Sequence, residues 1–263
     1  MRNDPATILA QLDAWAADAG RYPSVFPIWS RLHVAFHDAP DGAWFPSAGL
    51  LGGLAMRSVE PMIYMTSGSR TYEDILAGTY DGHLESWGIA AARHGRDLIV
   101  RWDQEPNGDW PARWAGSPPD AYRRVFARVE DRIRHQGGAT NVRLFYCPVL
   151  KRREDLSEFE RYYPGDSAQV VGFDAYVRNA DPGPLENRWS RARDKLHSLT
   201  DAPIVVGEFG MRRGLSGRLD WLEGLKRIDG IDTAVYFDMD LPTPGHTWSL
   251  DADERARLAD LTR

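Results

Sequence analysis

The sequence predicts an α/β protein, a single-domain (β/α)8 TIM barrel over residues 1–263 with a missing or irregular first strand. Three observations carry that expectation. Short β-rich runs alternate with helical runs along the chain, which argues for βα units and a parallel sheet. The length of 263 residues suits one barrel, since eight strand-plus-helix units take roughly 30 residues each. Two glutamates, Glu105 in LIVRWDQEPNGDW and Glu208 in APIVVGEFG, each end a strand-like run, and the gap between them holds about three such units. If Glu105 ends strand four, Glu208 ends strand seven. Both carboxylates then stand at the C-terminal mouth of the barrel.

In chain order, helix 5–18 comes first, then the strand run 32–37 (LHVAFH), helix 47–58 and strand 61–65 (PMIYM). Helix 81–94 precedes strand 97–102 (DLIVRW), and helix 119–136 precedes strand 142–147 (VRLFYC). Strand 169–174 (QVVGFD), helix 186–199, strand 203–207 (PIVVG), helix 217–228, strand 233–238 (TAVYFD) and helix 251–262 complete the series. Helix 119–136 has the clearest signals. Pro118 and Pro119 open it, and Asp120 lies in its first turn. Tyr122, Val125, Phe126, Val129 and Ile133 recur at helical spacing, and Gly137 and Gly138 stop it.

Seven strands are legible. If helix 5–18 is the first barrel helix, its strand lies before Met1. If SVFPI at 24–28 is strand one, no helix follows it before the run at 32–37. The first account is preferred, with helix 5–18 packed outside the barrel and strand one short or missing.

Composition excludes several classes. Apolar residues make up 43% of the chain, which fits neither a disordered chain nor a fibre. No apolar stretch approaches the roughly 20 residues of a membrane helix, and MRNDPATILAQLDAW has no signal-peptide core. As printed, the chain is expected in the cytoplasm, or outside the cell if a leader was removed. A formal net charge of −6 argues against nucleic acid and anionic membranes and suits a neutral substrate. With the single cysteine Cys147, no internal disulfide is possible. In VRLFYCP a buried thiol is expected there.

The central signal is RWDQEPNGDWPARW, residues 101–114. On a strand Arg101, Asp103 and Glu105 share a face, as do Ile204, Val206 and Glu208. Side chains just below each carboxylate then point into the barrel, and Glu105 and Glu208 become neighbours across its mouth. Arg101 is a candidate counter-ion. It favours the ionised form of the nearer carboxylate, while apolar and like-charge surroundings raise the pKa of the other. Two such carboxylates are the minimum equipment for hydrolysing a glycosidic bond. Pro106, Asn107 and Gly108 break regular structure, so the segment with Trp110 and Trp114 forms a loop over the mouth. Indoles there can stack on the apolar face of a sugar and hydrogen-bond its hydroxyls.

Six segments in order carry a resemblance to family 26 of the glycoside hydrolases, which contains many β-mannanases, within the clan of retaining (β/α)8 enzymes. They are the stretch EDILAGTYDGHLESWGIAAARHGRDLIVRW, QEPNGDWPARW, GATNVRLFYCP at 138–148, RYYPGDSAQVVGFDAY at 161–176, PIVVGEFG and AVYFDMD. The resemblance runs from about residue 73 onward. It implies Glu105 as acid/base and Glu208 as nucleophile. It implies Tyr176 beside the nucleophile, Phe237 as an aromatic on the rim, and Arg101, Gln104, Asn107, Trp110 and Trp114 as substrate-binding. The family's histidine before the acid/base is Gln104 here, and its methionine is Pro106. An amide still hydrogen-bonds a sugar hydroxyl but supplies no charge. The implied enzyme is a retaining, endo-acting β-glycanase such as a β-mannanase. Its partner is a carbohydrate substrate, it needs neither metal nor organic cofactor, and it is expected to be a monomer.

Two rivals come from other classes. One is a carbohydrate-binding barrel without activity. The other is a metal-dependent barrel hydrolase using His33 and His37, which share a strand face ahead of Asp38. The turn Ser67-Gly68-Ser69 is a candidate subsite wall. Lys151, Arg152 and Arg153, followed by Glu154 and Asp155, read as a solvated face.

Overall fold

Seven strands in one sheet follow the chain: β1 (Val25–Arg31), β2 (Glu60–Thr66), β3 (Leu98–Trp102), β4 (Val142–Tyr146), β5 (Val170–Val177), β6 (Ile204–Met211) and β7 (Thr233–Tyr236). All neighbouring pairs are parallel. The computed structural model describes residues 5–31, 46, 48–68, 70–109, 115–151, 156–178, 183–239 and 247–261. The helices lie outside the sheet. They are α1 (Pro5–Ala19), α2 (Ala48–Met56), α3 (Tyr72–Leu76), α4 (Asp81–His94), α5 (Pro119–Glu130), α6 (Ser157–Tyr162), α7 (Leu185–His197), α8 (Arg218–Leu222) and α9 (Ala252–Leu261). The result is a nearly closed parallel barrel with flanking helices, the architecture expected. Among the described residues no helix is long and apolar enough to cross a membrane.

Strand alternation divides the apolar residues into two layers. Met62, Tyr64, Ile99, Phe145, Cys147, Val170, Val205 and Val235 meet inside the barrel. The residues between them, such as Ile63, Met65, Val100, Trp102, Leu144 and Phe173, face the helices and join Leu84, Trp87, Tyr122, Phe126 and Trp189. The apolar stripe expected at 119–136 is buried at every position, with Tyr122, Val125, Phe126, Val129 and Ile133 all at 0% exposure. This helix ends in a π-helical turn over Asp131–Gln136. The run 217–228 divides into α8 and a 3-10 segment, Glu223–Arg227. The short helices α3 and α6 had no periodic signal to announce them.

The start of the chain requires a correction. The strand there is β1, which contains most of SVFPI and pairs Val25–Arg31 with Glu60–Thr66. The run 32–37 lies outside the described residues. Pro27 can sit in β1 because this strand is an edge, with a neighbour on one side among the described residues, so a missing N–H costs no ladder bond.

β7 and β1 do not pair among the described residues, and α1 packs between α9 and α2. Trp15 Nε1 donates to Asp238 Oδ2 at 3.1 Å, Arg255 Nη1 to Asp18 Oδ2 at 2.7 Å, and Arg21 Nη2 to the Ala259 carbonyl at 2.8 Å. Helix 5–18 is therefore packed outside, as expected, and it braces the barrel at this seam.

Candidate active site

The site begins where β3 stops. Trp102 is its last strand residue, and the chain then turns through two non-glycine residues with left-handed backbone, Asp103 at φ 36° and Glu105 at φ 53°. That conformation costs an L-residue on the order of 1–2 kcal/mol, so the surroundings must hold it. The Asp103 N–H donates to the Met65 carbonyl (2.9 Å) and the Glu105 N–H to the Cys147 carbonyl (2.8 Å). The Gly108 N–H returns to the Glu105 carbonyl (2.8 Å).

The sequence predicts that Arg101, Asp103 and Glu105 share one strand face; the two left-handed residues break that alternation. Arg101 points into the barrel. The Asp103 carboxylate instead accepts from the Ser67 N–H at 2.7 Å and the Tyr72 hydroxyl at 3.1 Å.

A second irregularity places Glu208. The register between β5 and β6 shifts at Phe173/Asp174, and that between β6 and β7 shifts after Val206. Val205 lies inside the barrel and Val206 outside. The shift at Gly207 lets Glu208 turn inward again. Ile204 and Val206 thus do not share its face, and the expectation that they do is corrected. A Cβ on Gly207 would stand 2.8 Å from Cys147 Sγ, 2.9 Å from Asp174 Oδ1 and 3.1 Å from Arg101 Cζ. The glycine is what lets this cluster close.

Arg101 is fully buried, with its guanidinium over the Tyr64 ring at 4.8 Å and near the Phe145 ring at 5.8 Å. Its Nη1 donates to Glu208 Oε1 at 3.0 Å, and its Nη2 pairs with Asp174 Oδ2. The Tyr176 hydroxyl donates to Glu208 Oε2 at 2.5 Å. Cys147 Sγ donates to Asp174 Oδ1 at 3.2 Å. Arg101 thus bridges Glu208 and Asp174. The Asp174 and Glu208 charges both act on the Glu105 carboxyl.

The electrostatics of these groups differ. Burial pushes the Glu105 carboxyl well above the usual range, and the charges of Asp174 and Glu208 push it further, against a weaker pull from Arg101. Asp174 is also pushed up by burial, but Arg101 bonds it directly and opposes the shift. Of this pair Glu105 holds the proton and Asp174 the charge, because Asp174 has the guanidinium. Burial and the Glu208 charge raise Tyr176, so its phenol keeps the proton it donates. Burial raises Cys147 as well, so the thiol is structural, as expected from its sequence setting.

The remaining candidates are placed as follows. Gln104 is 4% exposed beside Glu105. The Asn107 amide is taken up by the protein: Nδ2 donates to the Val149 carbonyl (3.0 Å) and Glu158 Oε2 (3.2 Å), and Oδ1 accepts from the Val149 N–H (2.8 Å). It anchors the loop. Phe237 is half-buried, with its ring 6.1 Å from Tyr176 at 79°. Trp110, Trp114, His33, His37 and Ser69 lie outside the described residues, as do Arg152–Asp155. Lys151 pairs with Glu158 at 2.9 Å.

Sequence reasoning gave no role to Asp174, Tyr64 or Trp248. Trp248, 2% exposed, backs the Tyr176 ring at 4.8 Å. The signal for Asp174 was present in GFDAY, where Asp174 and Tyr176 are two apart on one strand face. The signal for Trp248 was not, because it comes from beyond β7.

Two carboxylates at the C-terminal mouth of a parallel barrel suit the cleavage of a glycosidic bond, and the comparisons point the same way. The model of Glycosyl hydrolase family 26 matches residues 93–191, a stretch that includes Arg101, Glu105, Asp174 and Tyr176. The chain is family 26-like, and this match and the fold together support a glycoside hydrolase. A Bacillus subtilis mannanase is 15% identical at a TM-score of 0.68, with 95% of this chain and 80% of that one covered. The catalytic domain of a Bacillus sp. JAMB-750 endo-β-1,4-mannanase is 16% identical at a TM-score of 0.70, covering 94% and 77%. A β-mannanase from Bacteroides ovatus is 16% identical at 0.64, covering 94% and 82%. No curated protein matches the chain.

Proposed function

We propose that this protein is a retaining β-glycosidase, with Glu208 as nucleophile and Glu105 as acid/base. The observation that carries the proposal is the division of environments between two neighbouring glutamates. Glu208 accepts from Arg101 and Tyr176 on its two oxygens. Glu105 faces carboxylates, and burial raises its pKa. Pairs of acids pushed apart in this way mark an acid and a nucleophile.

In the first step Glu208 forms a bond to the anomeric carbon as the glycosidic bond breaks, and Glu105 gives its proton to the leaving oxygen. In the second, Glu105 takes a proton from water, whose oxygen displaces Glu208 from the sugar. Arg101 orients Glu208 from below, and Tyr176 fixes its other oxygen. Asp174 keeps Glu105 protonated at the start of each cycle.

The substrate proposed is a β-mannan or related β-glycan, cleaved within the chain. Likeness to family 26 supports this part of the reading. The test is hydrolysis of a panel of β-mannan, mixed-linkage β-glucan, xylan and galactan, with the anomer of the first-formed product followed by NMR. A β product from a β-glycan is expected. An α product would overturn the retaining mechanism, which requires carboxyl groups about 5–5.5 Å apart.

A further inference from the structure

Asp103 lies two residues before Glu105, is buried at 0% exposure, and takes no part in the proton transfers above. It holds a left-handed backbone at φ 36° that a non-glycine residue adopts only under constraint. Its contacts reach two other elements. The Asp103 N–H is bonded to Met65 at the end of β2, and Oδ1 accepts from the Ser67 N–H in the loop beyond. Oδ2 accepts from the Tyr72 hydroxyl on α3. The Tyr72 ring in turn lies 6.5 Å from that of Tyr122 on α5. From the other side, the Cys147 carbonyl of the β4 end holds the Glu105 N–H.

We propose that Asp103 is a positioning residue, whose carboxylate clips the turn after β3 to the β2–α3 loop and so holds Glu105 in the left-handed conformation that aims its carboxyl at the leaving oxygen. A turn of two left-handed non-glycine residues relaxes unless it is tethered on both sides; Cys147 tethers Glu105, while Asp103 is tethered by its N–H on Met65 and by its carboxylate on Ser67 and Tyr72. Without the carboxylate clip, Asp103 keeps only its backbone bond to Met65, and Glu105 gains freedom to leave the line of proton transfer. Ser67, Tyr72 and Tyr122 are the polar groups that face Asp103 from the packed elements. None is a cation, so the carboxylate is held by shape and hydrogen bonds. The inference rests on Glu105 being the acid/base.

The test compares leaving groups. The wild type, Glu105→Ala, Asp103→Ala, Asp103→Asn and Tyr72→Phe are assayed on dinitrophenyl and methylphenyl β-glycosides of the sugar identified by the panel, alongside thermal unfolding. Asp103→Ala is expected to lower kcat on the methylphenyl glycoside by about 100-fold, the order of a misplaced general acid. The first step with the dinitrophenyl glycoside, which needs little protonation, should stay within about threefold of wild type, and KM should change little. Tyr72→Phe should show a smaller loss of the same kind. Asp103→Asn should restore much of the rate, because Asn tolerates left-handed backbone and still accepts from Ser67. Equal losses on both glycosides, or none, would overturn the positioning role. If Asp103→Ala does not fold, Tyr72→Phe decides on the same criterion. Glu105→Ala separates the two readings. If it shows no dependence on the leaving group, the acid/base assignment falls and the inference falls with it. If it does and the Asp103 and Tyr72 variants do not, the inference alone falls.

Discussion

Glu105 and Glu208 differ in what touches them, and their variants should differ accordingly. Glu208→Ala should lose turnover on every substrate, with azide restoring cleavage and inverting the product, because a small anion can enter the vacated face. Glu105→Ala should lose about 10²–10⁴-fold on natural glycosides, the usual worth of a general acid, and keep a fast first step on activated phenols. Exchange of these phenotypes would exchange the roles. pH makes a further distinction. Because the charge of Asp174 helps hold the Glu105 pKa up, Asp174→Asn should move the alkaline limb of kcat/KM to lower pH. A limb that stays in place or rises would refute that account of Glu105.

Asp103 has a linkage of its own. Burial raises it from its ordinary 3.8 to about 7. Between those values the folded protein binds more protons than the unfolded chain, so stability falls as pH rises through this window. A shift of this size corresponds to about 4 kcal/mol. Asp103→Asn should flatten the decline of Tm between about pH 4 and 7. An unchanged slope would show that Asp103 titrates normally.

At the scale of elements, two glycines distinguish fold from site. A Cβ on Gly172 would lie 1.6 Å from the Val205 carbonyl oxygen, a backbone clash that no rotamer relieves. Gly172→Ala should therefore force β5 away from β6 and cost at least the 1–3 kcal/mol or so typical of overpacking. A Cβ on Gly207 meets mainly the ends of the Cys147, Asp174 and Arg101 side chains. Gly207→Ala should leave the sheet standing and displace the Arg101–Asp174 pair, lowering kcat by more than it lowers Tm. Equal thermal losses with unchanged kinetics would show that the glycine at the β6 irregularity serves the strand alone.

At the scale of the whole molecule, the seam beside β7 depends on Asp238. It accepts from Trp15 on α1, from Arg255 on α9 (2.7 Å) and from the Leu250 N–H (2.7 Å). Asp238→Ala leaves the donors of three residues without this acceptor. The cost should be about 1–3 kcal/mol, or a few degrees of Tm in a chain of this size. An unchanged Tm would mean that the apolar contacts of α1 close the seam without it.

The sequence by itself determined the barrel, the buried stripe of helix 119–136, the β-rich runs that lead to Glu105 and Glu208, and the buried state of Cys147. Each follows from a local rule: alternating period, apolar spacing, or a β-rich run. Tertiary structure decided the rest. It placed β1 at Val25–Arg31, where an edge tolerates Pro27, and it broke strand alternation at Asp103 and at Gly207. It also joined Asp174 to Arg101, two residues 73 positions apart, and bonded the Asn107 amide to Val149. Local rules describe a chain that continues its period. The site exists where the period is interrupted, and only bonds from other elements, Ser67 and Tyr72 on one side and Cys147 on the other, can hold a chain in that state.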